Sequence, residues 1–249
     1  MSITGYALSA THPEWIYVST SSGDIHRWDW TVGEKLGRWR LADPICQIAV
    51  GLQQVADGPV DIIYTRELKA NGSTRISAHK LMFGEDAAKS ETKTILQYQN
   101  PDSISNFQLV LGGKVIVASV GSKLVVGYTS EGPADSPRNS QHVWYEFTSP
   151  DNIRCMDVQA VGDSTKTESS DLTPQSSTIN VVVGDEGGAV FTHHDLLNKL
   201  IRAEQRGGHA VNDSIVPRKL HWHRDSVRSV RFSQDGGSSN TSCPVPGSH

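Results

Sequence analysis

Ile179-Asn-Val-Val-Val-Gly184-Asp-Glu-Gly-Gly188-Ala-Val-Phe191 is two apolar, β-branched runs around a glycine-rich turn. Val and Ile favour the extended backbone, and Gly-Asp-Glu-Gly-Gly supplies the positive φ that a tight reversal needs, so the stretch reads as a β-hairpin. The same unit recurs. Trp15–Ser19 turns at Ser21-Ser-Gly-Asp24 into Ile25–Trp30; Val60–Tyr64 is answered by Arg75–Lys80; Lys114–Ala118 turns at Val120-Gly-Ser122 into Lys123–Tyr128. An apolar strand precedes each hairpin (Ser2–Ala10, Pro44–Gly51, Ser103–Gly112, Asn152–Ala160) and another follows (Glu34–Leu41, Glu91–Tyr98, Val143–Phe147, Pro217–Trp222). The repeat is a four-stranded unit whose shortest spacings match the ~40–45-residue period of a propeller blade.

An all-β WD-repeat β-propeller of about four blades is therefore expected, roughly 1–41, 42–100, 101–149 and 150–225, with a further blade beginning at 226–236. Four and a fraction blades do not make a closed ring, so an incomplete propeller is expected, a piece of a larger one or a truncated product. The tail Gly237–His249 has no strand pattern and is expected to be disordered or aberrant. Polar insertions at Glu131–Arg138, Gly162–Ser177 and Gly207–Asp213 read as loops between strands, since such stretches cannot bury enough apolar surface to order themselves. Asp195–Glu204 has Leu196, Leu197, Leu200 and Ile201 at helical spacing with Asp195 as a candidate N-cap. It is short and isolated, and a single turn between strands is expected there.

The 249 residues carry a net charge of −4, with 37% hydrophobic and 20% charged residues, which suits one large or two small domains and argues against nucleic-acid binding through overall charge. No apolar run approaches the roughly 18 residues of a membrane span, and Met1–Trp15 lacks the pattern of a secretory signal. Three scattered cysteines, Cys46, Cys155 and Cys243, fit neither a disulfide framework nor a CxxC metal site and favour a reducing compartment.

Trp28-Asp29 closes a returning strand, as the WD dipeptide does, with a structural role expected for both residues: Trp28 between blades, Asp29 on backbone. His223, four residues ahead of an apolar strand that ends at Asp235-Gly236, fits a blade start with a structural hydrogen bond. His221-Trp-His223 and His193-His194 lack further ligands at zinc spacing, so no metal site is expected. No GxSxG, HExxH or SxxK arrangement is present, and Gly184–Gly188 lacks the Lys-Ser/Thr of a phosphate loop; no catalytic residue, cofactor or small-molecule substrate is expected, and the chain is read as a non-enzyme. Asn71-Gly-Ser would accept a glycan only in a secreted protein. Arg218, Lys219, Arg224, Arg228 and Arg231, interleaved with Trp222 and Phe232, form a basic strip readable either as an RNA-contacting patch or as a solvated rim.

Over 179–236 the chain resembles the WD-repeat subunit of the transcription-linked UTP-A module of the small-subunit processome, in its fungal form. The resemblance lies in Ile179–Phe191, Asp195–Arg202 and Pro217–Arg224, most distinctively in Leu220-His-Trp-His223; Gly23–Asp29 fits the same family, and residues 40–178 carry no specific motif. It implies a nucleolar, non-catalytic scaffold in ribosome biogenesis. Its partners would be other UTP-A subunits, pre-rRNA and U three snoRNA, and its role pre-18S rRNA processing and support of pre-rRNA transcription. Family chains carry more propeller before residue 1 and a second propeller beyond residue 236. A generic WD-repeat adaptor for a ubiquitin ligase or chromatin complex is the alternative, since one fold serves many partners.

Overall fold

The computed structural model describes residues 2–82, 90–99, 101–129, 142–162, 177–205, 215–233 and 239–242. Four four-stranded antiparallel sheets follow one another along the chain, each built in sequence order as a meander. The first comprises β1 (Ile3–Leu8), β2 (Trp15–Thr20), β3 (Asp24–Asp29) and β4 (Glu34–Arg40). The second comprises β5 (Ile45–Val55), β6 (Gly58–Leu68), β7 (Thr74–Lys80) and β8 (Glu91–Tyr98), and the third β9 (Ile104–Val110), β10 (Val115–Val120), β11 (Lys123–Thr129) and β12 (His142–Thr148). The fourth comprises β13 (Ile153–Gly162), β14 (Ser177–Asp185), β15 (Ala189–His193) and β16 (Arg218–Trp222). The strands fall where the apolar runs and turn residues place them.

Two expectations are corrected. Leu196–Gln205 forms a ten-residue helix, α1, rather than a single turn. Leu196, Leu197 and Leu200 are all buried, so packing of its apolar stripe stabilises a helix too short to persist by propensity. Asp195 precedes it at φ 52, with its backbone N–H donating to Oδ1 of Asn180 and its carboxylate accepting from Nδ2 of Asn198 at 2.6 Å. In the tail, Ser239–Ser242 forms β18, paired antiparallel with β17 (Ser229–Phe232). The segment shows no apolar alternation because backbone groups alone make that ladder. The insertions at 131–138, 163–176 and 207–213, Asp235 and Cys243 lie outside the described residues.

The described residues fall into two compact units, one within Met1–Ile116 and Gly127–Val143, the other within Val117–Val126 and Trp144–His249. In the first unit, Tyr17 and Ile25 pack against Ile45, Ile48 and Ile63, joining the first two sheets through apolar side chains that alternate along their strands. Polar side chains fasten β9 to the second sheet. Nε2 of Gln47 donates to the Phe107 carbonyl at 2.6 Å, Nη1 of Arg66 to the Ile104 carbonyl at 2.9 Å, and the Ile104 N–H to Oγ1 of Thr74 at 2.7 Å. In the second unit, Val182 and Val190 of the fourth sheet pack with Val227 and Val230 at β17. No helix among the described residues is long and apolar enough to cross a membrane.

Candidate functional site

The structure separates side chains that hold the sheets from those that present chemistry. Asp29 is of the first kind. Its Oδ1 accepts from the Thr31 N–H at 2.9 Å, the Thr31 hydroxyl at 2.5 Å and the Val32 N–H at 3.3 Å, closing the turn after β3. Trp28 is half-buried, and strand alternation puts it with His26 on the face opposite Ile25. The His223 N–H donates to the Gly188 carbonyl at 2.7 Å. Gly188 itself sits at φ 83, where an added Cβ would lie 2.2 Å from the His223 carbonyl, so only glycine closes this hairpin so near the following segment.

Three buried carboxylates at the hairpin turns escaped the sequence reading. Asp24 opens β3 and accepts from Nε and Nη2 of Arg38 at 3.0 and 2.8 Å and from the Ser22 hydroxyl; the Ser22 bond first and Arg38 next hold its pKa below the usual carboxylate value. Asp185 ends β14 and accepts from the Ala189 N–H at 2.7 Å and the Ser149 hydroxyl at 3.2 Å. Glu67 near the end of β6 is wholly enclosed. It accepts from Thr65 at 2.6 Å and from Nε and Nη2 of Arg75 at 2.8 and 2.5 Å, with Nε2 of His79 at 3.3 Å. The signal for two of them was present as the dipeptides Gly23-Asp24 and Gly184-Asp185. Such repeated turn carboxylates bind backbone and neighbouring side chains and leave little for a ligand.

The fold is that of a β-propeller. It matches the β-propeller domain of Cps50 (Swd1) from Myceliophteria thermophila with a TM-score of 0.55 at 11% identity, over 97% of this chain and 65% of that one. This propeller chain thus spans just under two thirds of the length of that domain. No family model and no curated protein matches the sequence.

On the propeller's second unit the basic residues do not form one strip. Arg218 and Lys219 are successive residues of β16 and point to opposite faces. Lys219 lies 5.9 Å from the Phe191 ring centroid, and Arg231 pairs with Asp157 at 3.3 Å. Arg224 and Arg228 are exposed in the segment between β16 and β17. No three His, Cys, Asp or Glu side chains come together as a metal set among the described residues.

The same unit holds a cavity of about 250 Å³ walled by Leu124, Phe147, Ile153, Val183 and Phe191, with His193 in its lining. His193 is 4% exposed, and its ring meets Phe147 at a centroid distance of 5.1 Å. Burial, reinforced by the charge of Lys199 and by His194, pushes its pKa down to about 4, so the imidazole is neutral at physiological pH. Its Nδ1 is enclosed without a hydrogen-bond partner, an arrangement that costs about 1–3 kcal/mol. Sequence reading weighed His193 only as a metal ligand beside His194; nothing in its local pattern signals a cavity walled by residues from five strands.

Proposed function

We propose that this chain is a non-catalytic binding scaffold, and specifically a nucleolar component of the small-subunit processome that acts with UTP-A subunits on nascent pre-rRNA. The observation that carries the finer reading is Leu220-His-Trp-His223 within the 179–236 stretch. Four successive blades support the coarser one, because a propeller offers several loop faces on a rigid frame. The exposed pair Arg224 and Arg228 is the part of the basic segment best suited to touch RNA phosphate.

Affinity purification of the full-length protein tests the reading. Recovery of UTP-A subunits, with loss of early pre-rRNA cleavage on depletion, is the expected result. Recovery of a ubiquitin ligase or chromatin complex with intact pre-rRNA processing overturns it in favour of a generic adaptor.

A further inference from the structure

The first sheet has two unlike faces. Tyr17 and Ile25 pack toward the second sheet, and a Cβ on Gly5 would meet Ile48 there at 3.3 Å. The strand register defines the other face, because residues directly opposite one another share a side. Tyr6 and Leu8 of β1 stand opposite Val18 and Ile16 of β2, these opposite His26 and Trp28 of β3, and these opposite Arg38 and Lys35 of β4. Ile3 opposite Thr20, and Arg40 opposite Asp24, extend the same face. Its inner strands are apolar and its outer strand is cationic.

The apolar part is open to water. Ile3, Tyr6 and Leu8 are 72%, 70% and 57% exposed, and Trp30, at the Leu8 end of the sheet, is 58% exposed. Nε1 of Trp30 donates to the Pro13 carbonyl at 2.9 Å, which holds the indole in place. An aromatic side chain carries roughly 150–250 Å², so Tyr6 and Trp30 alone leave about 250 Å² in water before Ile3 and Leu8 are added. Contiguous apolar surface of that order marks an interaction site. The cationic part is unbalanced. Asp24 is enclosed and already bonded to Arg38 at 2.8 Å, whereas Lys35 and Arg40 form no ion pair among the described residues. Burial first and Lys35 next lower the His26 pKa, so the imidazole adds no charge at neutral pH. This face is locally positive in a chain of net charge −4.

We infer that this face docks a polypeptide whose aliphatic side chains cover Ile3, Tyr6 and Leu8 and whose carboxylates meet Lys35 and Arg40. The first and second sheets are already joined by the same chemistry. Beside the apolar contacts of Tyr17 and Ile25, the Asp61 carboxylate of β6 accepts from the Ser9 and Tyr17 hydroxyls at 2.5 and 2.9 Å. A small molecule needs a concave site, and this one is a pleated face. A second copy offers the same cations and, on this face, only a carboxylate bonded to Arg38. Pressing the apolar strands into lipid would carry Lys35 and Arg38, set across the pleat from Trp28 and His26, toward hydrocarbon. The inference stands independently of RNA contact and of which assembly the scaffold serves.

The test uses the 249-residue chain and fluorescein-labelled ten-residue peptides followed by anisotropy: alternating glutamate and leucine, alternating lysine and leucine, and alternating glutamate and serine. The glutamate–leucine peptide is expected to bind saturably, about tenfold more tightly than the lysine–leucine one, the value of two surface ion pairs gained rather than repelled. Lys35→Glu with Arg40→Glu, both at exposed positions, is expected to remove that preference. Tyr6→Ser with Leu8→Ser is expected to weaken the glutamate–leucine peptide at least fivefold. Absence of saturable binding, equal binding of the lysine–leucine peptide, or equal binding of the glutamate–serine peptide to the unaltered chain overturns the inference. So does sedimentation of the chain as a dimer, or with phosphatidylserine–phosphatidylcholine vesicles, that the Tyr6 and Leu8 changes abolish. The comparison of peptides on the unaltered chain decides even where a variant fails to fold.

Discussion

Nε2 of His79 lies 2.8 Å from Oγ1 of Thr65 and 3.3 Å from Oε1 of Glu67, in a site closed to solvent on the second sheet. Nδ1 of the same ring meets Oγ1 of Thr92 at 3.0 Å, so β6, β7 and β8 are tied through one imidazole. Arg75 completes the group by bonding Glu67 and reaching Asp43 at 3.0 Å. Burial alone would raise the Glu67 pKa. Hydrogen bonds from His79, Thr65 and Arg75 outweigh it and bring the pKa down to about 2.

Glu67→Ala is expected to destabilise the fold by about 1–3 kcal/mol, since it takes one partner from the enclosed Thr65 hydroxyl and His79 ring while Arg75 keeps Asp43. Because the folded pKa lies below the ordinary carboxylate value, Glu67 adds stability that is complete above pH ~4.5 and lost as pH falls toward about 2. Denaturant midpoints measured across that window are expected to fall in the wild type and to flatten in Glu67→Gln.

His193 has the opposite chemistry and a different window. Its folded pKa of about 4 lies below the ordinary histidine value of 6.5, so the unfolded chain takes up the proton first. Stability is expected to be complete above pH ~6.5 and to decline as pH falls to about 4, by on the order of 3 kcal/mol. Thermal melts of His193→Phe across this range are expected to lack the decline, which separates it from the more acidic Glu67 step.

Gly188 and Gly33 both have positive φ, 83 and 73, yet differ in their surroundings. An added Cβ at Gly33 meets nothing within 4 Å, whereas at Gly188 it meets the His223 and Asp225 carbonyl oxygens at 2.2 and 2.8 Å. Gly33→Ala is expected to cost about 1–2 kcal/mol from the left-handed backbone alone. Gly188→Ala is expected to cost clearly more, read as a larger drop in urea midpoint at an unchanged slope.

If Arg224 and Arg228 contact RNA, their charge reversal weakens crosslinking to pre-rRNA and lowers the salt dependence by roughly one unit for each lost phosphate contact. Arg231→Glu is the control. It is expected to act mainly on the fold, because Arg231 pairs with Asp157, whose Oδ2 also accepts the Phe232 N–H at 2.9 Å. Equal RNA effects from all three reversals would return these residues to a solvated rim.

Strand positions were legible because their causes are local. Val and Ile at alternate positions and Gly-Asp or Gly-Ser reversals fix each hairpin within some 20 residues, and every expected blade strand from Ser2 to Trp222 is present. The turn at Asp29 is equally local, since its carboxylate accepts from Thr31 and Val32, two and three residues further on. The helix at Leu196 was under-read because its stability comes from burial against β14, and β18 because a ladder of Ser, Asn and Thr leaves no apolar trace.

The sequence by itself determined a chain of four antiparallel meanders, because hydrophobic alternation and turn chemistry act over neighbouring residues. Only the tertiary structure decided which polar groups are closed from water, that Arg231 belongs to Asp157, and that His193 lines a cavity. Those facts depend on side chains brought together from segments up to 74 residues apart, and no local pattern encodes such a meeting.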